Sequence, residues 1–474
     1  MFPSDRPRVD RQILAVDIGT TSVKAACVSS SGAIISRSIH RVGSPGAERW
    51  REACALAAGE AVSAAESYGA GPPEAMIFSG NGPSVVAVDA AGEEVCETLL
   101  WYDDRVIEKL PDCPSFFLPR IGWLFHNDPS CAERVRWFLS CPEYLVYLVT
   151  GSAITIRPHD AFTPYIWDDA QAARYGVDSA KLPPFAYTGD LIGHVDAEHA
   201  RQWGIPEGLP VVAGAYDFLM SLVGTDTLHA GRTCDRAGTS EGINHCSENP
   251  STDRRLRSLP HFIQGLHNVA GVLSSTGRLF EWYRRISGQR GTSYEKMMND
   301  ILATPAGVEP WFFPSLHQGA DWEFASGMFI GLGAEHGPAE MGRAVVESIG
   351  YAVREAVETI ESAGFPVGEL RACGGQSKND LWNQMKADMV GKPVAIMEVP
   401  DAEIVGNAAA GFSALGVYDS VEEAAGELVR VRRRFEPVAE TERMYAELFP
   451  LYLENYERFR AAFNARSPVG SRGL

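Results

Sequence analysis

The chain has 474 residues, 45% of them apolar and 22% charged, and its 42 basic against 61 acidic residues give a formal net charge of −19. At roughly 100 to 200 residues per domain this length calls for two large domains or three, and the acidic balance opposes binding to nucleic acid or anionic lipid. Nine cysteines without a CxxC pair argue against a disulfide framework or a zinc site, so free thiols are expected.

The opening, MFPSDRPRVDRQ, is charged and broken by prolines, and the apolar stretch ILAV that follows is too short for a signal segment or a membrane span. A cytoplasmic protein with small-molecule partners, no nucleic acid and no membrane is expected. ILAVD and SVKAACV flank a tight DIGTT turn, and AIISRS follows SSSG, a pattern of consecutive hairpins. Residues 47–68 are rich in helix formers at helical spacing, and AMIFSG and SVVAVD return to strand character. The order is strand, strand, strand, helix, strand.

Residues 111–210 are less regular and read as insertions. Two helices are expected there, at CAERVRWFLSC and at CPEYLVYLVTG, the second ending on Gly151. Leu209 to Ala213 reads as a strand, Tyr216 to Val223 as a helix, and GTDTLHAG at 224–231 as a hinge between domains. The division expected is therefore 1–230 and 231–474. In the second half Pro338 to Ala363 carries one amphipathic stripe. LRACGG reads as a strand and glycine turn, NDLWNQMKADMV as a helix stopped by Gly391, PVAIMEV as a strand, and the segment after Asp401 as a further helix. The tail ARSPVGSRGL is expected to be disordered. The alternation makes the fold class α/β.

Two turns echo each other: DIGTTS at 17–22 and DRAGTS at 235–240. A glycine with small hydroxyl residues in a tight hairpin leaves backbone N–H groups uncovered, and a concave set of such groups binds anions, phosphate above all. Asp17 would repel phosphate, but it can hold a hydrated Mg²⁺ that bridges phosphates. Neither GxxxxGK[ST] nor a GxGxxG opening a helix after the first strand occurs, which leaves P-loop and dinucleotide folds without support. Taken singly, each turn is as well explained by ordinary turn propensity.

DIGTTSVK at 17–24, GAYD at 214–217, AGTS at 237–240, CGGQSKNDLWNQMKADMVGKPV from 373 and DAEIVGNAAAG at 401–411 resemble the FGGY carbohydrate kinases. The resemblance implies two ribonuclease-H-like domains, of the actin, hexokinase and Hsp70 type, closing an interdomain cleft over ATP and a sugar or polyol. It implies that Gly19, Thr20 and Thr21, with Lys24, meet the nucleotide phosphates and that Asp17 lies near Mg²⁺. The second hairpin maps to Gly238, Thr239 and Ser240, and the adenosine segment to Gly374, Gly375, Gln376 and Ser377, with Asn379 nearby and Asn407 on the later helix. Asp217 is the implied catalytic base and a second group near the metal. The stretch LLWYDDR resembles the sugar-side segment, with Trp101 offering an apolar face and Asp103 a hydroxyl acceptor; Asn81 stands where relatives carry a polar sugar contact. A homodimer would follow from family analogy alone.

Three segments depart from the xylulokinase pattern. SGNGPS, with Gly82 and Pro83, replaces a turn that carries a Met-His pair; Phe218 follows the aspartate where a polar residue is usual; HQGADW at 317–322 replaces a GERTP segment. Phe218 points to a substrate with fewer hydroxyls near the reacting centre, because an apolar contact cannot read a hydroxyl. An actin-type ATPase and a catalytically silent sugar-binding relative remain the alternatives.

Overall fold

The computed structural model describes residues 11–273, 275–314, 321–322 and 326–464. The tail ARSPVGSRGL and most of HQGADW lie outside the described residues. The chain forms two compact units, one of Met1–Asp226, Phe262–Gln264 and Ala402–Val429, the other of Thr227–His261, Gly265–Asp401 and Arg430–Leu474. The long first segment of the first unit ends at Asp226, within GTDTLHAG, and the segment 402–429 groups with it.

In the first unit β1 (Gln12–Ile18), β2 (Ser22–Ser29) and β3 (Ile34–Arg41) form consecutive hairpins, α1 (Ala47–Ser67) covers them, and β4 (Ala75–Gly80) returns parallel to β1. The strand Pro210–Val212 lies parallel to β4 on its other side, with Leu191–His194 at the edge. Every residue of β1 and β4 is buried, as expected of central strands covered on both faces. Trp50, Phe78, Tyr144 and Trp203 fill the core between sheet and helices.

The second unit repeats this plan. Thr233–Ala237, Glu241–Ser247 and His267–Leu273 form antiparallel neighbours, and Leu370–Cys373 and then Val394–Met397 add on in parallel. The DIGTTS and DRAGTS turns therefore occupy the same place in two sheets of the same connectivity. The helix Pro338–Ser362 packs its apolar stripe on the second sheet.

Two expectations in the middle region are corrected. CAERVRWFLSC is not one helix: a short helix, Pro129–Arg134, ends at an extended Val135, and Trp137–Leu139 pairs as a strand with Val85–Val88. Sheet hydrogen bonds to a distant partner override local helix propensity there. Cys96 and Cys131, expected as free thiols, form a disulfide with Cα atoms 5.8 Å apart; pairing across 35 residues is set by the docking of that short helix on the strand Glu94–Leu99 and leaves no local sequence signal. The helix Cys141–Thr150 ends as expected on a left-handed Gly151. Among the described residues no helix is long and apolar enough to cross a membrane.

Candidate active site

In the first unit two acidic groups stand at the carboxyl ends of a set of three parallel strands. Asp17 closes β1, the SGN segment closes β4, and the strand Pro210–Val212 runs through GAY into the helix Asp217–Gly224. Ligands in open parallel sheets bind outside such carboxyl ends. Two glycines let the last segment come close enough: a Cβ at Gly214 would lie 2.0 Å from the Phe78 carbonyl oxygen, and one at Gly82 would lie 2.4 Å from the Tyr216 ring.

Asp17 is 2% exposed. Ser79 Oγ donates to its Oδ1 at 2.9 Å, and Lys24 Nζ lies 3.5 Å from Oδ2. Burial pushes the Asp17 carboxyl up to about 7; Lys24 and Ser79 pull it down, while Glu403 and Asp217 push it further up. The electrostatic coupling places Asp17 and Asp217 in one acidic field, to which Glu403 adds. Glu403, absent from the sequence expectations, sits on the helix Ala402–Ala414 and accepts a hydrogen bond from Ser221 at 3.0 Å. The helices carrying these two residues meet over Gly224 and Gly406, where added Cβ atoms would lie 1.8 Å from Ala402 O and 2.1 Å from Met220 O.

Asp217 is the first residue of its helix, and the Phe218 N–H donates to its Oδ1 at 2.7 Å. Phe218 follows it, partly exposed.

The first turn is closed by Gly19 N–H donating to Ser22 O at 3.0 Å, with Thr20 partly exposed and Thr21 exposed. Trp101 reaches this turn: its indole Nε1 donates to Thr20 Oγ1 at 3.2 Å. Arg120, buried and unforeseen, donates to the carbonyls of Leu100 and Trp101 and so holds the Trp101 loop. Asp103 turns elsewhere. It chelates Arg105, which holds its carboxyl below the usual range, and it lines a cavity of about 540 Å³ with Glu97, Arg49 and Ser44 that includes neither Trp101, Asp17 nor Asp217.

Two expected ligand contacts have other occupations. Asn81 is 3% exposed and gives its amide to Ile18 O while accepting from Ser84 Oγ at 2.7 Å. Asn407 is fully buried in the first unit, donating to Val16 O at 3.0 Å and Ser79 Oγ at 2.9 Å. Both brace strand ends.

In the second unit the three carbonyls of the second turn all accept protein hydrogen bonds: Gly238 O from Gln376 Nε2, Thr239 O from Gly277 N, and Ser240 O from Gly238 N. Thr239 is exposed. Gly374 has φ +90° and a Cβ there would lie 2.4 Å from Ala237 O, so only glycine fits between this segment and the turn. Gly375 faces open space, Ser377 Oγ donates to Gly374 O, and Asn379 caps the helix Asp380–Val390 by accepting from Trp382 N at 2.9 Å. The turn and the Gly374–Ser377 segment thus form one surface of this unit.

The family comparison covers the Asp217 helix, the second Gly-Thr turn, the Gly374–Ser377 segment and the helix of Glu403 and Asn407. Residues 109–224 match the N-terminal domain, and 236–415 the C-terminal domain, of the FGGY family of carbohydrate kinases. The chain belongs to this family. As an FGGY carbohydrate kinase it is a phosphotransferase with an alcohol group of a carbohydrate as acceptor. It is 24% identical over 486 aligned positions to the xylulose kinase of Bacillus subtilis, covering 94% of this chain and 97% of the relative. It is 26% identical over 404 positions to the autoinducer-2 kinase of an Enterobacter species, covering 78% and 76%. Among solved structures the kinase superposes on gluconate kinase from Lactobacillus acidophilus with TM-score 0.80 at 20% identity, over 97% of this chain and all of that one. With xylulose kinase from Rhodospirillum rubrum the TM-score is 0.78 at 22% identity, over 96% and 100%. The fold of two ribonuclease-H-like domains expected from the motifs is thus the fold of the chain.

Proposed function

We propose that the protein transfers the γ-phosphate of ATP to a hydroxyl of a small sugar or polyol, with Asp217 as the group that orients that hydroxyl and takes its proton. The observation that carries the reading is the convergence of Asp17 and Asp217 at the carboxyl ends of one sheet, beside a Gly-Thr turn. Phosphoryl transfer needs little covalent work from the protein: an in-line hydroxyl, an acceptor for its proton, and cations for the developing charge. The Phe218 N–H fixes one oxygen of Asp217, leaving the carboxylate rigid at a helix start. Lys24 supplies positive charge beside Asp17. The Gly19–Thr21 and Gly238–Ser240 turns are read as phosphate contacts, and Gly374–Ser377 as the nucleoside-side surface.

A divalent cation fits the donor set. Among the described residues no three His, Cys, Asp or Glu side chains cluster as a metal site, and Mg²⁺ in phosphoryl-transfer sites uses one or two carboxylates with phosphates and water. Asp17 and Asp217 would hold it, and it would neutralise charge on the transferring phosphoryl group.

The acceptor is read as a carbohydrate with fewer hydroxyls near the reacting centre than D-xylulose. Phe218 beside the base supports this, as does the Gly82–Pro83 turn, which packs on Tyr216 and offers no polar side chain. The test is ADP release from Mg-ATP across ketoses, deoxy sugars, polyols and sugar acids, with Asp217→Ala alongside. One stimulating compound whose effect the variant abolishes sustains the reading and names the acceptor. Stimulated turnover that survives Asp217→Ala removes Asp217 as the base. A preference for D-xylulose over every deoxy sugar and polyol removes the substrate reading alone.

A further inference from the structure

The second Gly-Thr turn stands on a buried ion cluster. Side chains alternate faces along a strand, so Asp235 shares a face with Ala237, and Glu241 is the direct cross-strand partner of Ala237. Two carboxylates therefore stand on one face of the hairpin, on opposite arms just below the turn, both with no side-chain exposure. Lys386, from the helix Asp380–Val390, ends between them: Nζ lies 2.5 Å from Asp235 Oδ2 and 2.6 Å from Glu241 Oε1.

The remaining oxygens, Asp235 Oδ1 and Glu241 Oε2, are buried without a hydrogen-bond partner among the described residues. Like charges on neighbouring positions of a hairpin repel, and burial strengthens the repulsion. Burial pushes the Glu241 carboxyl up to about 7, with Lys386 opposing and Asp235 adding to the rise. A buried ion cluster is weak evidence for stability, since apolar residues of the same volume often serve as well; its better attested use is to fix registry. Here the registry is that of the two arms that present the turn. The turn itself is also clasped: a Cβ at Gly277 would lie 2.4 Å from Gly238 O, and Gln376 donates to that same oxygen.

We propose that Lys386 is a positioning residue for nucleotide binding, tying both arms of the second hairpin so that the backbone of Gly238, Thr239 and Ser240 is held in its phosphate-binding shape. The inference rests on the reading of that turn as a phosphate contact. Lys386 touches no ligand in this scheme; it acts through Asp235 and Glu241.

The test titrates Mg-ADP calorimetrically into the full-length chain and its Lys386→Met and Glu241→Ala variants, and follows hydrogen exchange of the 233–247 hairpin with and without Mg-ADP. Glu241→Ala leaves Lys386 and Asp235 as a simple pair, and decides the matter if Lys386→Met does not fold. The Mg-ADP Kd is expected to rise about fivefold or more in Glu241→Ala and about tenfold or more in Lys386→Met, with kcat at saturating ATP within about twofold of wild type. Faster exchange is expected at 237–242 and not across the rest of the unit. Wild-type affinity in Glu241→Ala overturns the inference, as does an affinity loss accompanied by faster exchange throughout the second unit. If Mg-ADP binds the wild-type protein without protecting the hairpin, the phosphate reading of the turn fails on its own, whatever the variants do.

Discussion

Asn407 donates its side-chain amide to the carbonyl oxygen of Val16, 3.0 Å away. The same amide nitrogen lies 2.9 Å from Ser79 Oγ, whose hydroxyl donates to Asp17 at 2.9 Å. A residue on the helix Ala402–Ala414 is thereby linked, through one hydroxyl, to a carboxylate at the end of β1.

Asn407→Ala breaks this relay and leaves the Val16 carbonyl and the Ser79 hydroxyl short of a buried donor. It is expected to lower stability by about 1 to 3 kcal/mol, read from urea unfolding. If the relay orients Asp17, kcat falls as well. Full activity in a destabilised Asn407→Ala protein would show that Ser79 alone positions Asp17.

Gly82→Ala places a methyl group 2.4 Å from the Tyr216 ring. Tyr216 precedes Asp217 at the helix start, so a ring that must move carries the base with it. Overpacking of this kind costs about 1 to 3 kcal/mol, and a displaced base loses about tenfold or more in kcat. Steady-state kinetics beside thermal unfolding checks both; unchanged kcat means the turn yields instead of the tyrosine.

Trp101→Phe keeps an aromatic face and deletes the indole N–H that reaches Thr20. The part-buried bond is worth about 0.5 to 1.5 kcal/mol. With the Thr20 turn read as a phosphate contact, the expected sign is a higher KM for ATP with a smaller change in KM for the acceptor. The reverse split would assign Trp101 to the acceptor alone.

Glu143 offers a pH-dependent stability. Fully buried in the helix Cys141–Thr150, its carboxylate accepts from Ser140 N at 2.6 Å and Ile156 N at 2.7 Å, yet burial pushes it up to about 7 from an ordinary 4.5. A carboxyl whose folded value is raised contributes its full stabilisation below the unfolded value and loses it as pH rises through the folded one. Stability from this group is therefore expected to fall between about pH 4.5 and 7. Glu143→Gln should flatten that part of the Tm profile and lower Tm at its acid end, because one capping bond is lost. A slope identical to wild type would place the titration elsewhere.

The hairpins of the first unit, the helix stop at Gly151 and the helix from Pro338 were legible in the sequence because each depends on residues near one another in the chain. The segment 129–139 was not: its apolar spacing suits a helix, but the pairing of Trp137–Leu139 with Val85–Val88 decides its conformation. The disulfide between Cys96 and Cys131 escaped notice for the same reason.

By itself the sequence determined the α/β alternation, the two Gly-Thr turns and the motifs that carry the family resemblance, since turn geometry and strand or helix periodicity are properties of a few consecutive residues. Only the tertiary structure decided which charges meet. Glu403 joins the field of Asp17 and Asp217, Lys386 settles between Asp235 and Glu241, and Asn81 and Asn407 turn inward to brace backbone. Ion pairing and desolvation depend on distance and burial in three dimensions, and these partners come together only when segments remote in the chain pack.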